Sequence, residues 1–189
     1  VRGYAFQVLR SSGPAITAQG FVTTSPVPWG SDHHRVFDER FGKTITVAVI
    51  GEDLPESHNS VSLDPTLTDN DGIPAPAVAY SMSDNSLKMM DHGIGRATEV
   101  LEAAGAKEVL VNPLLRPAGW HLLGTARMGE DPAASVVDRW GRAHDVSNLF
   151  IIDGSIFTTS ACVNPTPTIQ ALALRTADYL KGEGRSILE

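Results

Sequence analysis

The chain has 189 residues, 42% of them apolar, which suits a globular domain with a core and excludes disordered or collagen-like composition. Fifteen Lys and Arg against 22 Asp and Glu leave a net charge of −7, which argues against a nucleic-acid partner, because such interfaces are built from excess cations. The uncharged stretch Gly154 to Leu174 is broken by Pro165 and Pro167 and rich in Ser and Thr, so it reads as no membrane span.

In chain order, Tyr4 to Leu9 and Thr44 to Val49 alternate with period two and predict strands, and Val61 with Leu63 and Val78 with Tyr80 fit two more. Turn formers at Ser25-Pro26, Pro28-Trp29-Gly30, Asp64-Pro65 and Asp69 to Gly72 separate them, so residues 1–82 are expected to form a mostly antiparallel sheet. Leu87, Met90, Ile94, Ala97, Leu101 and Ala104 recur at helical spacing, with Ser83 or Asp84 to cap the start and Gly105 to end the helix. Ala106 to Val111 is expected to be a short strand, followed by a Pro-containing connection to Gly119 and, later, an apolar run at Leu149–Ile152. A last helix is expected from Pro167 to Lys181, with Thr166 as N-cap and Gly182 as its stop; that leaves the Asn164 amide free to face a site. The fold class is α+β, with helices packed on one sheet face. The composition shifts near residue 119, dividing the chain into 1–119 and 120–189.

Familiar signatures mostly fail on context. Gly93-Ile94-Gly95-Arg96-Ala97-Thr98 resembles part of a phosphate-binding loop, but it falls inside a helix, where such a loop must open one. No P-loop, nucleophile elbow or zinc-type spacing is present; His33-His34 and His58 read as surface histidines, and Glu52-Asp53 as loop polarity. The single Cys162 permits no intrachain disulfide and reads as a small filler. Val1 opens the chain without a signal-like segment, so it is expected to be a mature product or a piece of something longer.

The informative stretch runs His121-Leu122-Leu123-Gly124-Thr125-Ala126-Arg127-Met128-Gly129, then Arg142-Ala143-His144-Asp145-Val146, Ile152-Asp153-Gly154-Ser155 and Val163-Asn164-Pro165-Thr166-Pro167. In this order and spacing the series resembles the C-terminal part of the glucose-methanol-choline (GMC) flavoprotein oxidoreductases, most closely bacterial gluconate and polyol dehydrogenase large subunits. Weaker similarity reaches upstream through Pro28-Trp29-Gly30, Glu52 to Pro55, Asn59 to Asp64 and Tyr80 to Asp84, and so covers nearly the whole chain.

The resemblance implies an FAD-dependent oxidation of a CH–OH group in an alcohol, polyol or sugar acid. His121 matches the catalytic histidine, a residue suited to taking a hydroxyl proton near neutral pH, and Asn164 the second catalytic position. Asp153 and Gly154 match the pair approaching the flavin phosphate and ribityl region, and Pro165 and Thr166 the contacts to the isoalloxazine ring, where the positive end of a helix suits negative charge. Arg127 and Arg142 could meet an acidic sugar or a flavin phosphate, with structural ion pairs an equal alternative.

The glycine-rich βαβ unit of the family's FAD domain is absent from this sequence. The expectation is therefore a substrate-binding domain plus a C-terminal segment that would complete a missing N-terminal FAD-binding domain, so that the isolated chain neither holds FAD tightly nor turns over. Related large subunits pass electrons to a cytochrome or quinone, some in the periplasm, and by that analogy the compartment is bacterial cytoplasm or periplasm. A binding or subunit-interaction module without the flavin half is the alternative. A hydrolase built on Ser155, His121 and Asp153 is a third reading, weakened by the missing elbow.

Overall fold

The computed structural model describes residues 3–10, 13–19, 26–115, 121–160 and 163–188, without the side chains of 184–188. Contacts divide the chain into two compact units, Val1–Glu52 with Asp84–Gly119 and Asp53–Ser83 with Trp120–Glu189.

In the first unit, β1 (Tyr4–Leu9) pairs antiparallel with β2 (Thr46–Gly51), from Tyr4 opposite Gly51 to Leu9 opposite Thr46. Between them lie two short helices that the sequence pattern did not signal, α1 (Pro14–Gln19) and α2 (His33–Arg40). The α2 sequence HHRVFDER has no apolar stripe to announce it. Its order is carried by ion pairs from Arg35 to Asp32 and Glu39 and by a stack of rings four residues apart: Trp29 on His33, His33 on Phe37 and Phe37 on Phe41, with centroids 5.6, 6.4 and 5.1 Å apart.

The long helix α3 (Asp84–Ala103) packs on β1 and β2, as expected. Its buried line, however, is Ser86, Met89, Gly93 and Ala97, about one position round from the apolar stripe, and Leu87 is 48% exposed. Gly93 explains the rotation, because a methyl group there would stand 2.6 Å from Val49 Cγ1 and 3.4 Å from the Tyr4 ring. Its bare backbone lets the helix settle onto the strand, so Gly93 in the stretch that resembled a phosphate loop is a packing feature, while Gly95 faces open space. The helix ends as its sequence predicts: Gly105, at φ 85°, donates to the Glu102 carbonyl (2.9 Å) and Ala106 to that of Leu101 (3.0 Å), which is the Schellman arrangement. The strand expected at Ala106–Val111 does not form. Both sheets are two-stranded and neither adds it as a partner.

In the second unit, β3 (Ser60–Thr68) and β4 (Pro74–Ala79) form a separate antiparallel hairpin. The α+β class therefore stands, but the described residues of 1–82 hold two small sheets instead of one. The hairpin turn is organised by Asp69, whose carboxylate accepts the amides of Asp71 and Ile73 (both 2.9 Å), with Gly72 at φ 80°. Asp64-Pro65 makes a bulge within β3 in place of a turn, Asp64 accepting the Thr66 and Leu67 amides (2.8 Å each). At its open end the Asn59 amide imitates a strand, accepting from Ser81 N–H (2.8 Å) and donating to the Ser81 carbonyl (3.1 Å).

Residues 121–160 contain little regular structure. They form linked loops around a core of Val137, Ala143 and Ile156, against which Met128, Ile151, Phe157 and Leu172 pack. The Leu149–Ile152 run contributes an isolated bridge between Phe150 and Arg142. The final helix, α4, spans Thr166–Leu188. Ile169 N–H donates to the Pro165 carbonyl (3.0 Å), so Pro165 takes the cap position and Thr166 the first helical one, a residue earlier than expected. Gly182 does not stop it, since one mid-helix glycine costs only about 1 kcal/mol. Thr176 and Arg175 fasten α4 to the loop before Gly141: Thr176 Oγ1 donates to the Trp140 carbonyl (2.9 Å), and Arg175 donates to that of Arg139 (2.7 Å) while lying 4.4 Å over the Trp140 ring. Among the described residues no helix is long and apolar enough to cross a membrane.

Candidate active site

The residues singled out by motif all lie in the second unit, in its loops and at the start of α4. His121 sits on an exposed bend at φ 60°, the one described non-glycine residue with positive φ. A side chain in this left-handed region costs about 1–2 kcal/mol, a strain that persists where the surroundings dictate the backbone. Three residues on, Gly124 has φ 89° and faces the Phe157 carbonyl, 3.5 Å from where a methyl would stand. Beyond it Ala126 N–H donates to the Ser155 carbonyl (2.9 Å) and Met128 N–H to that of Ile156 (2.8 Å). The stretch after the histidine is thereby held along residues 155–157.

Asp153 caps the single 3-10 turn Gly154–Ile156, accepting the Ser155 amide at 2.8 Å. Hydrogen bonds from the Ser155 side chain and amide hold its carboxyl below the ordinary carboxylate range. Ser155 is thus the partner of that carboxylate inside a 3-10 turn, which removes the strand-to-helix elbow a serine nucleophile would use. Gly154 is buried. A methyl there would stand 2.8 Å from Leu123 Cδ2, 3.1 Å from the Leu122 carbonyl oxygen and 3.4 Å from Ile169 Cδ1. One glycine is therefore the point at which the stretch following His121 and the first turn of α4 meet. Asn164 is exposed just before that helix, Pro165 is buried and Thr166 is exposed.

The other motif residues have structural partners. Arg127 donates through Nε to the Ala134 carbonyl (2.7 Å) and Arg142 through Nε to that of Ser147 (2.5 Å). His144 Nε2 lies 2.9 Å from Ser135 Oγ and 3.2 Å from the Gly129 carbonyl, joining two loops. Asp53, read from sequence as loop polarity, accepts a short hydrogen bond from Tyr80 at the end of β4, and its carbonyl accepts from Ser160 Oγ (3.4 Å). Partial removal of the Tyr80 phenol from water, reinforced by that carboxylate, pushes its pKa up to about 12. No short-range pattern could have revealed this pair, because its members are separated by the whole hairpin. Cys162 and Trp120 lie outside the described residues.

The GMC oxidoreductase family model matches residues 55–173. The chain belongs to the GMC oxidoreductase family. It is 44% identical over its whole length to 2-methyl-1,2-propanediol dehydrogenase of Mycolicibacterium austroafricanum, and covers 34% of that protein. To the fructose dehydrogenase large subunit of Gluconobacter japonicus it is 39% identical over 68% of this chain and 24% of the other. To the gluconate 2-dehydrogenase flavoprotein of Pantoea cypripedii it is 27% identical over 87% and 29% respectively. The chain thus spans about a third of the length of these GMC relatives, or less. A solved pyridoxine 4-oxidase superposes with a TM-score of 0.54 at 20% identity, over 75% of this chain and 30% of that one, a likeness of fold.

Proposed function

We propose that this chain carries the substrate side and the C-terminal catalytic segment of an FAD-dependent GMC dehydrogenase that oxidises a CH–OH group of an alcohol, polyol or sugar acid. His121 is the general base that takes the hydroxyl proton, and Asn164 donates a hydrogen bond to the same oxygen as its charge develops. What supports this reading is the contact at Gly154, where Leu122 and Leu123, which follow His121, and Ile169 in the first turn of α4 approach one point. His121 and Asn164 are both exposed, open to a substrate.

Bound FAD would supply the hydride acceptor. The fit of the matching residues to it is uneven. The start of α4 suits it, because Thr166 and Thr168 are exposed at the positive end of a 23-residue helix and their amides precede the first intrahelical donor, Ile169. Gly154 is different: the space its missing side chain leaves is filled by Leu122, Leu123 and Ile169. In this reading Thr166 and Pro165 hold the ring edge, Asp153 orders the turn, and Gly154 sets the spacing between the histidine stretch and the helix. Dehydrogenase, with transfer to a quinone or cytochrome, is preferred over oxidase because the 2-methyl-1,2-propanediol dehydrogenase matches the whole chain at 44% identity, whereas 6'''-hydroxyparomomycin C oxidase of Streptomyces lividus matches 70% of it at 40%.

In the full-length protein, His121→Ala is expected to lower kcat by about 10²–10⁴-fold while leaving flavin content unchanged; equal turnover in the variant removes His121 from the chemistry. Asn164→Ala is expected to cost about 10²–10³-fold or less, read in the same assay.

A further inference from the structure

We propose that the cleft between Gly124–Arg127 and Ala133–Val136 is an oxyanion subsite that takes a carboxylate or phosphate group. The cleft is an open groove of about 250 Å³, lined by Gly124, Thr125, Arg127, Ser135, Val136 and two alanines, with no carboxylate among them and with Gly124, Thr125 and Arg127 exposed. Its walls are joined by the Val136 amide donating to the Arg127 carbonyl (3.0 Å) and by Arg127 Nε donating to that of Ala134 (2.7 Å), so the guanidinium is held in place before any ligand arrives.

The nearby acids have partners of their own. Glu130 pairs with Arg139 at 2.8 Å, and the Asp131 carboxylate accepts the Ala133 amide at 3.0 Å. The Ser135 hydroxyl is occupied too, donating to the Asp131 carbonyl (2.6 Å) beside His144. What remains is a set of donors. Among the described residues, the terminal guanidinium nitrogens of Arg127, the Thr125 hydroxyl and the amides of Gly124 and Thr125 meet no protein acceptor. Gly124, at φ 89°, is in the left-handed conformation that turns successive amides toward a common anion. A planar cation whose two terminal nitrogens leave one N–H edge open, flanked by a hydroxyl and backbone amides, matches an oxyanion bidentately. On a chain of net charge −7, this cation has no acidic partner among the described residues.

Gly124 follows His121 by three residues, and an extended chain advances at most ~3.6 Å per residue, so the near wall lies within about 11 Å of the His121 backbone. An acid group in the cleft is therefore within the reach of a six-carbon substrate whose hydroxyl meets the base. The substrate version of this inference rests on the proposed dehydrogenase reading; the binding site itself does not.

The test uses the full-length protein and three probes: gluconate, its uncharged counterpart sorbitol, and inorganic phosphate. Titration calorimetry is expected to show gluconate and phosphate binding that weakens about 10–100-fold in Arg127→Gln, while sorbitol binding is unchanged. Arg127→Lys, which keeps the charge and loses the fork, should fall between, and Thr125→Val should lose a smaller factor. Circular dichroism and melting of each variant separate lost binding from lost folding. If Arg127→Gln loses gluconate affinity, the anion is a substrate carboxylate; if it instead loses flavin content, the anion is the phosphate of the cofactor. Unchanged gluconate affinity, phosphate affinity and flavin content in a folded Arg127→Gln protein overturn the proposal. Arg127-dependent binding in a protein whose bound flavin is reduced by no alcohol, polyol or sugar acid would leave the subsite standing and sink the dehydrogenase reading.

Discussion

The hairpin β3–β4 and the loops of residues 121–160 belong to the same compact unit and are built in opposite ways. The hairpin has a regular ladder, yet the cross-strand partners Val61 and Val78 are 50% and 72% exposed. The loops have almost no ladder, yet they contain the most deeply buried side chains of the unit, Val137 at 0% and Ile156 at 2%. Regular hydrogen bonding and burial are thus separable. The loops are ordered by amides that cross from strand-like stretch to strand-like stretch, such as Gly129 to Val137, Asp138 to Arg142 and Ala143 to Leu149 (2.8, 2.8 and 2.9 Å), and by glycines that let backbones touch.

The largest expected effect attacks such a close approach. Gly141 has φ 77°, and a methyl there would lie 2.6 Å from the Ile151 carbonyl. Gly141→Ala should therefore cost about 3 kcal/mol, combining left-handed strain with overpacking, measured by urea unfolding of the full-length protein. A loss below about 1 kcal/mol would mean that the loops can yield. The second prediction sets the two regions side by side. Val137→Ala should destabilise by about 2 kcal/mol, as expected for a filled core site, whereas Val78→Ala should stay within about 0.5 kcal/mol. Equal losses would show that the exposed hairpin face is covered in the full-length protein.

The smallest effect is electrostatic. The carboxyl of Asp153 is held below its ordinary range by Ser155, so its folded pKa is depressed. Its contribution is present above the unfolded carboxylate pKa, near 3.9, and fades as pH falls through the lower folded value. Asp153→Asn should abolish that part of the acid-limb pH dependence of unfolding by losing the carboxylate's small contribution at neutral pH while leaving stability below its folded pKa unchanged. An unaltered acid limb would remove the cap from the account.

Some of this was legible along the chain. The alternation of Tyr4–Leu9, the spacing of α3 and the Gly105 stop are patterns written over a few neighbouring residues, although β1 and α3 find their partners far along the chain. The motif series around His121 and Asn164 identified the family for a related reason: order and spacing along the polymer survive whatever the fold does with them. The rotation of α3 was not legible, because it depends on Val49 lying against Gly93. Nor was the expected strand at Ala106–Val111 refutable from sequence, since a strand exists only with a partner. The α2 ring stack was hidden by a polar sequence whose aromatic residues sit four apart on a helix only eight residues long.

The candidate site divides along the same line. The sequence by itself determined which residue types stand in the motifs, and thereby the family, because chemistry-bearing side chains are constrained by identity. Only the tertiary structure decided what each residue does for its neighbours: that Asp153 caps a turn, that Asp53 receives Tyr80 across a hairpin, that Arg127 faces a cleft, and that Gly154 is where the histidine stretch meets α4. Those are contacts between segments far apart in the chain. They depend on distances of a few ångströms set by packing, which no periodicity records.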